Sequence, residues 1–165
     1  MIIGIDPGLH GAVAVIDGSR VLLLEDLPVV QFSQGRTKYR VDGVLLADML
    51  WPFEGAKLAV VETVSGRPGE GVSSAFSFGY TSGVICGVLG ALKIPIQRPM
   101  PSKWKRDMGL GPDKDLSRAR AIEIFPGMAH MLTLKKHHDR AEALLMAAWG
   151  NSANRNGMAG AGDSR

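Results

Sequence analysis

The chain has 165 residues, 45% of them hydrophobic and 21% charged, with a formal net charge of +3 and a pI of about 9.2. That is enough chain for one domain with a full core, in an ordinary soluble composition. A mildly basic balance permits nucleic-acid binding, and the single cysteine, Cys86, excludes an intrachain disulfide. The reading is therefore a protein of a reducing compartment, with Cys86 as a packed core thiol. No basic segment precedes the first apolar residues, so no signal peptide or organelle-targeting segment is expected. No long apolar window runs free of charges or several glycines, so no membrane span is expected either. From these features a cytoplasmic location is expected.

Ile2 to Asp6 reads as a short strand, followed by the turn Asp6-Pro7-Gly8-Leu9-His10-Gly11. Ala12 to Ile16 returns, Asp17-Gly18 signals a hairpin, and Val21 to Leu24 makes a third strand. Residues 31–40 are polar and basic and read as a loop. Asp42 is placed to cap a helix that Pro52 stops. Leu58 to Val64 is a fourth strand, apolar on both faces as a buried parallel strand would be. Ser65 to Gly71 is a loop. Ser73 to Leu92 is a long helix with Gly79, Gly83 and Gly87 on one face, suited to close packing at a dimer interface or on the sheet. Ile94 to Gln97 is a fifth strand. A short helix capped by Ser102 follows, then a helix from Ser117 to Phe125. A last helix begins near His138 and runs to residue 150. This order gives an α/β protein, a five-stranded mixed sheet flanked by helices. Residues 1–150 form the domain, and 151–165, rich in Gly, Ala, Ser and Asn, read as a disordered tail.

Four acids carry the chemistry. Asp6 ends the first strand, on the face opposite Ile3 and Ile5. Taken alone, it also fits an ordinary Asp-Pro-Gly turn. Glu62 interrupts a strand that is apolar on both faces, where a carboxylate is costly unless paired or bound to metal. Asp139 and Glu142 share a face in the first turn of the last helix, a spacing that also suits a variant capping box. Together the four make a hard oxygen donor set suited to magnesium or manganese. Two such ions about 4 Å apart support phosphodiester cleavage. His138, four residues before Glu142, can donate a ligand or contact phosphate. Lys103, Lys105, Lys114, Arg118 and Lys136 stand in a basic second half and are candidates for phosphate contacts; Trp104 among them is either an aromatic for base stacking or a ring packed inward beneath a solvated basic face.

These residues resemble a known family. The opening Ile3-Gly4-Ile5-Asp6-Pro7-Gly8 with Gly11, the strand end Val60-Val61-Glu62 and the close Asp139-Arg140-Ala141-Glu142-Ala143-Leu144-Leu145 are similar to the RuvC family of Holliday-junction resolvases. The segments Pro101-Ser102-Lys103-Trp104-Lys105, Lys114-Asp115-Leu116-Ser117-Arg118, Phe125-Pro126 and Lys135-Lys136-His137-His138 resemble the chloroplast-type resolvases and their bacterial and phage relatives. The resemblance implies an RNase H-like fold and a homodimer and, through the bacterial and phage relatives, the cytoplasm of a bacterial or phage-infected cell. The implied activity is cutting of four-way DNA by paired symmetric nicks with two Mg2+ ions, for which Mn2+ can substitute. It assigns Asp6, Glu62, Asp139 and Glu142 as catalytic metal ligands. Because the chloroplast group has a histidine where His138 stands, the third ligand is Asp139 or His138. RuvC proteins wedge an aromatic into the junction after the fourth strand. Ser65 to Gly71 has none, which leaves Arg67 or Phe76 to substitute. Three other readings remain: a nuclease for other branched DNA or RNA–DNA hybrids, a non-catalytic junction binder, and an ATP-handling kinase-like domain. Gln97 and Arg98 stand where a ribonuclease H would carry a further acid, and a kinase-like fold needs a second domain.

Overall fold

The structure is a computed structural model that describes residues 1–32, 39–63, 71–111 and 114–155, without the side chains of residues 114, 115, 154 and 155. Strands β1 (Ile2–Ile5), β2 (Ala12–Asp17) and β3 (Arg20–Asp26) form the expected antiparallel meander. Gly18, at φ +62°, turns the β2–β3 hairpin in a conformation that L side chains rarely adopt. A two-stranded ribbon follows, β4 (Val29–Gln31) against β5 (Tyr39–Val41), where the sequence reads as loop. Strands of three residues carry too few alternating positions to stand out from polar neighbours. Helix α1 (Gly43–Leu50) starts as expected, with the Asp42 carboxylate accepting from the amides of Val44 and Leu45 at 2.8 and 3.0 Å.

Strand β6 (Leu58–Val61) pairs parallel with β1, and β7 (Ile96–Gln97) pairs parallel with β6. The sheet order is therefore β3-β2-β1-β6-β7, a five-stranded mixed sheet. Ile3, Ile5, Val13, Val15, Ala59 and Val61 build one core with Leu46 and Leu50 of α1 and Ile85 and Leu89 of α2 (Val72–Ala91). Ile2, Ala12, Ala14, Ile16, Leu58 and Val60 face the other way, onto α3 (Pro101–Asp107), α4 (Lys114–Ile124) and α5 (His138–Arg155).

Some boundaries move. Met100, not Ser102, is the N-cap of α3, because Pro101 takes the first helical position and needs no donor there. Helix α5 continues through Arg155, past the expected end at residue 150, and 156–165 lie outside the described residues. Cys86 is half-buried rather than packed in the core. Helix α2, which contains several glycines, is long and apolar enough to cross a membrane by length and composition alone, and 22% of its apolar window is buried. A Cβ added at Gly79, Gly83, Gly87 or Gly90 would meet nothing within 4 Å, so this glycine face does not pack on the sheet.

Candidate active site

Strand alternation decides where the first two acids point. Asp6 continues β1 with the parity of Ile2 and Gly4, and Glu62 continues β6 with the parity of Leu58 and Val60. Both parities face α5. The parallel register pairs Ile5 with Val61, so the acids leave adjacent strands side by side. The Glu62 amide donates to the Ile5 carbonyl at 3.4 Å. After Asp6 the chain turns at once, with the Gly8 amide donating to the Asp6 carbonyl at 3.1 Å. Gly11 lies so close that a Cβ there would stand 2.6 Å from the Gly8 amide nitrogen.

Glycine also brings in the second pair. At Gly4, α5 crosses β1 so closely that a Cβ would overlap the Ala143 carbonyl and stand 2.6 Å from the Ala147 amide nitrogen. Gly150 does the same further along, where a Cβ would be 2.6 Å from Val60 Cγ2. This seating lays the first two turns of α5, with Asp139 and Glu142, over the strand ends that carry Asp6 and Glu62.

All four acids line one cavity of about 580 Å³, together with His138, Lys105 and Ser74, Ser77, Phe78 and Thr81 of α2. Burial holds the Asp6 carboxyl well above the usual aspartate range, and the nearby charges of Asp139, Glu142 and Glu62 push it further the same way. Each of the other acids has a partner. The Trp104 indole N–H donates to Glu62 Oε1 at 2.9 Å. Lys105 Nζ lies 2.8 Å from Glu142 Oε1, which also accepts from the Ser117 hydroxyl at 3.1 Å. His138 Nε2 lies 2.7 Å from Asp139 Oδ1. Among the described residues, no three His, Cys, Asp or Glu side chains stand together in a group that could hold an ion as they are. The donor set nevertheless suits a hard cation: four carboxylates share the cavity, and burial together with their like charges raises one of them.

The basic residues separate. Lys105 enters the acidic cavity. Two residues earlier on α3, Lys103 turns away from it, to 6.0 Å from the Trp149 ring centroid, beside a second cavity of about 680 Å³. Arg118 reaches the Leu132 and Thr133 carbonyls, both at 3.4 Å, and so ties α4 to the segment before α5. Lys136 is exposed in a short 3-10 helix, Lys135–His137. The Lys114 side chain and Arg67 lie outside the described residues. Trp104 is 0% exposed and cannot stack on a base, so of its two readings the inward-packed one holds. Its place in a basic run suggests DNA, but burial of its ring and the bond to Glu62 make it part of the core. Phe76 is 75% exposed and lines a groove of about 650 Å³ with Phe32, Tyr39, Arg40 and Tyr80. Arg40 lies 5.3 Å from the Phe32 centroid and 5.7 Å from that of Tyr80. The groove shares Leu9, Ser74 and Ser77 with the acidic cavity, so the two are continuous.

Thermus thermophilus RuvC superposes over 94% of this chain and 96% of its own, with a TM-score of 0.58 and 18% identity. The chain has the RuvC fold. A second structure, T. thermophilus RuvC in complex with a Holliday junction substrate, matches over the same shares with a TM-score of 0.62 and 16% identity. The RNase H-like architecture implied by the sequence resemblance is thus confirmed. The chain is also similar to the chloroplast Holliday junction resolvase MOC1 of Chlamydomonas reinhardtii, 38% identical over 84 residues. That match spans 50% of this chain and a tenth of the algal protein's length. No protein-family model matches the chain. The MOC1 match overturns the expected bacterial or phage-infected cytoplasm, because this curated relative is a chloroplast protein. The features of the sequence behind that expectation were absences, which carry no address.

Proposed function

We propose that the protein is a structure-selective endodeoxyribonuclease that resolves four-way DNA junctions by paired nicks. One observation carries the reading: four carboxylates from the ends of β1 and β6 and from α5 converge in one cavity of a RuvC fold. Asp6, Glu62, Asp139 and Glu142 would hold divalent metal, Mg2+ or Mn2+ and two ions per site, with His138 beside Asp139 as the alternative third ligand. Bound metal would supply charge stabilisation and a nucleophilic water at neutral pH.

The chain's own residues do the rest. The walls of the cavity, made by α2, α3 and α5, limit access to the strand ends. Lys105 is the cation nearest the acids and is placed to meet a phosphate that enters. Lys103 and Lys136 extend positive charge along the same half of the molecule, a contact that positions DNA without reading its sequence. The groove of Phe32, Tyr39, Phe76 and Tyr80 offers exposed rings next to the acids, where unpaired bases of a branched substrate can stack. The open glycine face of α2 supports a homodimer, which paired symmetric nicking requires.

The test is cleavage of an immobile four-way junction with Mg2+ by wild type and Glu62→Gln. The expected result is paired nicks giving linear duplexes with 5′-phosphate, ligatable ends, lost in the mutant. Binding without cutting would establish a junction-binding protein instead. Equal cutting of RNA–DNA hybrids or linear duplex would retain the nuclease and remove the junction claim. Light scattering of the free protein at a monomer mass would remove the dimer.

A further inference from the structure

Two consecutive residues of α3 reach two acids that come from different parts of the chain. Trp104 donates its indole N–H to Glu62 at the end of β6, and Lys105 places its ammonium on Glu142 in α5. Their rigidity differs. Trp104 is wholly buried among the α5-side core residues, so its ring has one position and its N–H one direction. Lys105 keeps 30% of its side chain exposed, and its flexible stem carries the Nζ 5.2 Å from the Trp104 ring centroid. A buried N–H facing a carboxylate is a fixed, charge-assisted contact. A partly exposed ammonium is a displaceable one.

We propose that α3 is the positioning element of the acidic site. Trp104 permanently orients Glu62, and Lys105 occupies Glu142 as a tethered cation that an arriving divalent ion must displace. Trp104 is not assigned to the reacting atoms, and Lys105 holds this place on Glu142 only until it is released toward an entering phosphate. Trp104 acts through Glu62, as outer partners of metal ligands generally do. Lys105 occupies the charge position until it is exchanged, which keeps four clustered carboxylates compatible with a folded, metal-free chain. The proposal rests on the metal-site reading given above.

Opposite signs test it. Mn2+ binding to the free, full-length protein is followed by electron paramagnetic resonance, without DNA. Trp104→Phe is expected to weaken binding roughly 10- to 100-fold, the usual effect of losing an outer partner. Lys105→Met is expected to tighten it roughly two- to fivefold by removing the competitor. In a Glu62→Gln background, Trp104→Phe should cost little more, because its effect passes through that carboxylate. A full additional loss there, or unchanged binding in Trp104→Phe, overturns the role of Trp104. Weaker binding in Lys105→Met overturns the exchange. Should Trp104→Phe not fold, the Trp104 indole N–H proton resonance in otherwise wild-type protein decides. Movement upfield in Glu62→Gln supports the contact, and an unmoved resonance overturns it. Absence of Mn2+ binding in wild type overturns the metal reading itself and the proposal with it, a result distinct from all the others.

Discussion

Gly4 and the Ala143 carbonyl lie in direct contact, with no room between them for a methyl group. Gly4 is two residues before Asp6, and Ala143 is next to Glu142, so this one crossing of helix over strand sets the spacing of the acidic site. Gly4→Ala is expected to push α5 off β1 at a cost of about 1–3 kcal/mol for overpacking, with greater loss where backbone cannot yield. Urea unfolding will read the stability. Junction cleavage should fall more than stability alone explains, because the two pairs of acids are driven apart.

The raised Asp6 carboxyl has a signed consequence for stability. A group whose folded pKa lies above its unfolded value keeps its proton in the native state where the unfolded chain has lost it. Its contribution is therefore favourable at low pH and is lost as pH rises from the ordinary aspartate value toward the raised one. The metal-free protein should lose melting temperature across that interval. Asp6→Asn should flatten the slope and raise the metal-free melting temperature near neutrality while abolishing cleavage. Thermal melts in chelator across pH check this, and an unchanged slope in the mutant would remove Asp6 as its source.

Asp26 behaves in the opposite sense. The Arg140 guanidinium grips it at 2.6 and 2.8 Å, and that hydrogen-bonded pair holds its pKa below the usual range. The stability it contributes is present above the ordinary aspartate value and lost as pH falls through the lowered one. Asp26 is 61% exposed in its side chain, so Asp26→Asn should cost no more than about 1 kcal/mol. The effect should shrink in high salt, which a denaturation series at two ionic strengths will show.

Ser117 is 2% exposed and donates to Glu142, which is 6% exposed. Ser117→Ala removes one of the two contacts on a buried carboxylate oxygen and should destabilise by about 1–3 kcal/mol. Ser117→Thr should restore most of that stability, and unfolding curves of the pair distinguish a lost bond from a lost fold.

The strand meander, the parallel fourth strand and the convergence of Asp6, Glu62, Asp139 and Glu142 were legible because period-2 alternation and an acid in an apolar strand are local signals. Trp104 was not legible as a partner of Glu62. A tryptophan between lysines looks the same in sequence whether it faces DNA or the core, and only the packing of α3 against α5 decides. Arg118 was obscured for the same reason, since its carbonyl partners in Leu132 and Thr133 lie across a turn. The β4–β5 ribbon was too short for its pattern to be read. Gly79, Gly83 and Gly87 were correctly placed on one face, but their spacing could not tell a packed face from an open one.

The acids come from the first strand, the middle of the chain and the last helix. Closing such distant segments on one another is entropically slow and happens only once nearly everything between them is in place. During synthesis on the ribosome, β1 and β6 emerge well before α5, so a nascent chain holds half the acids and no site. On the proposed nuclease reading, cutting ability would therefore arrive in one step with α5, and a copy lacking that helix would leave nearby DNA uncut.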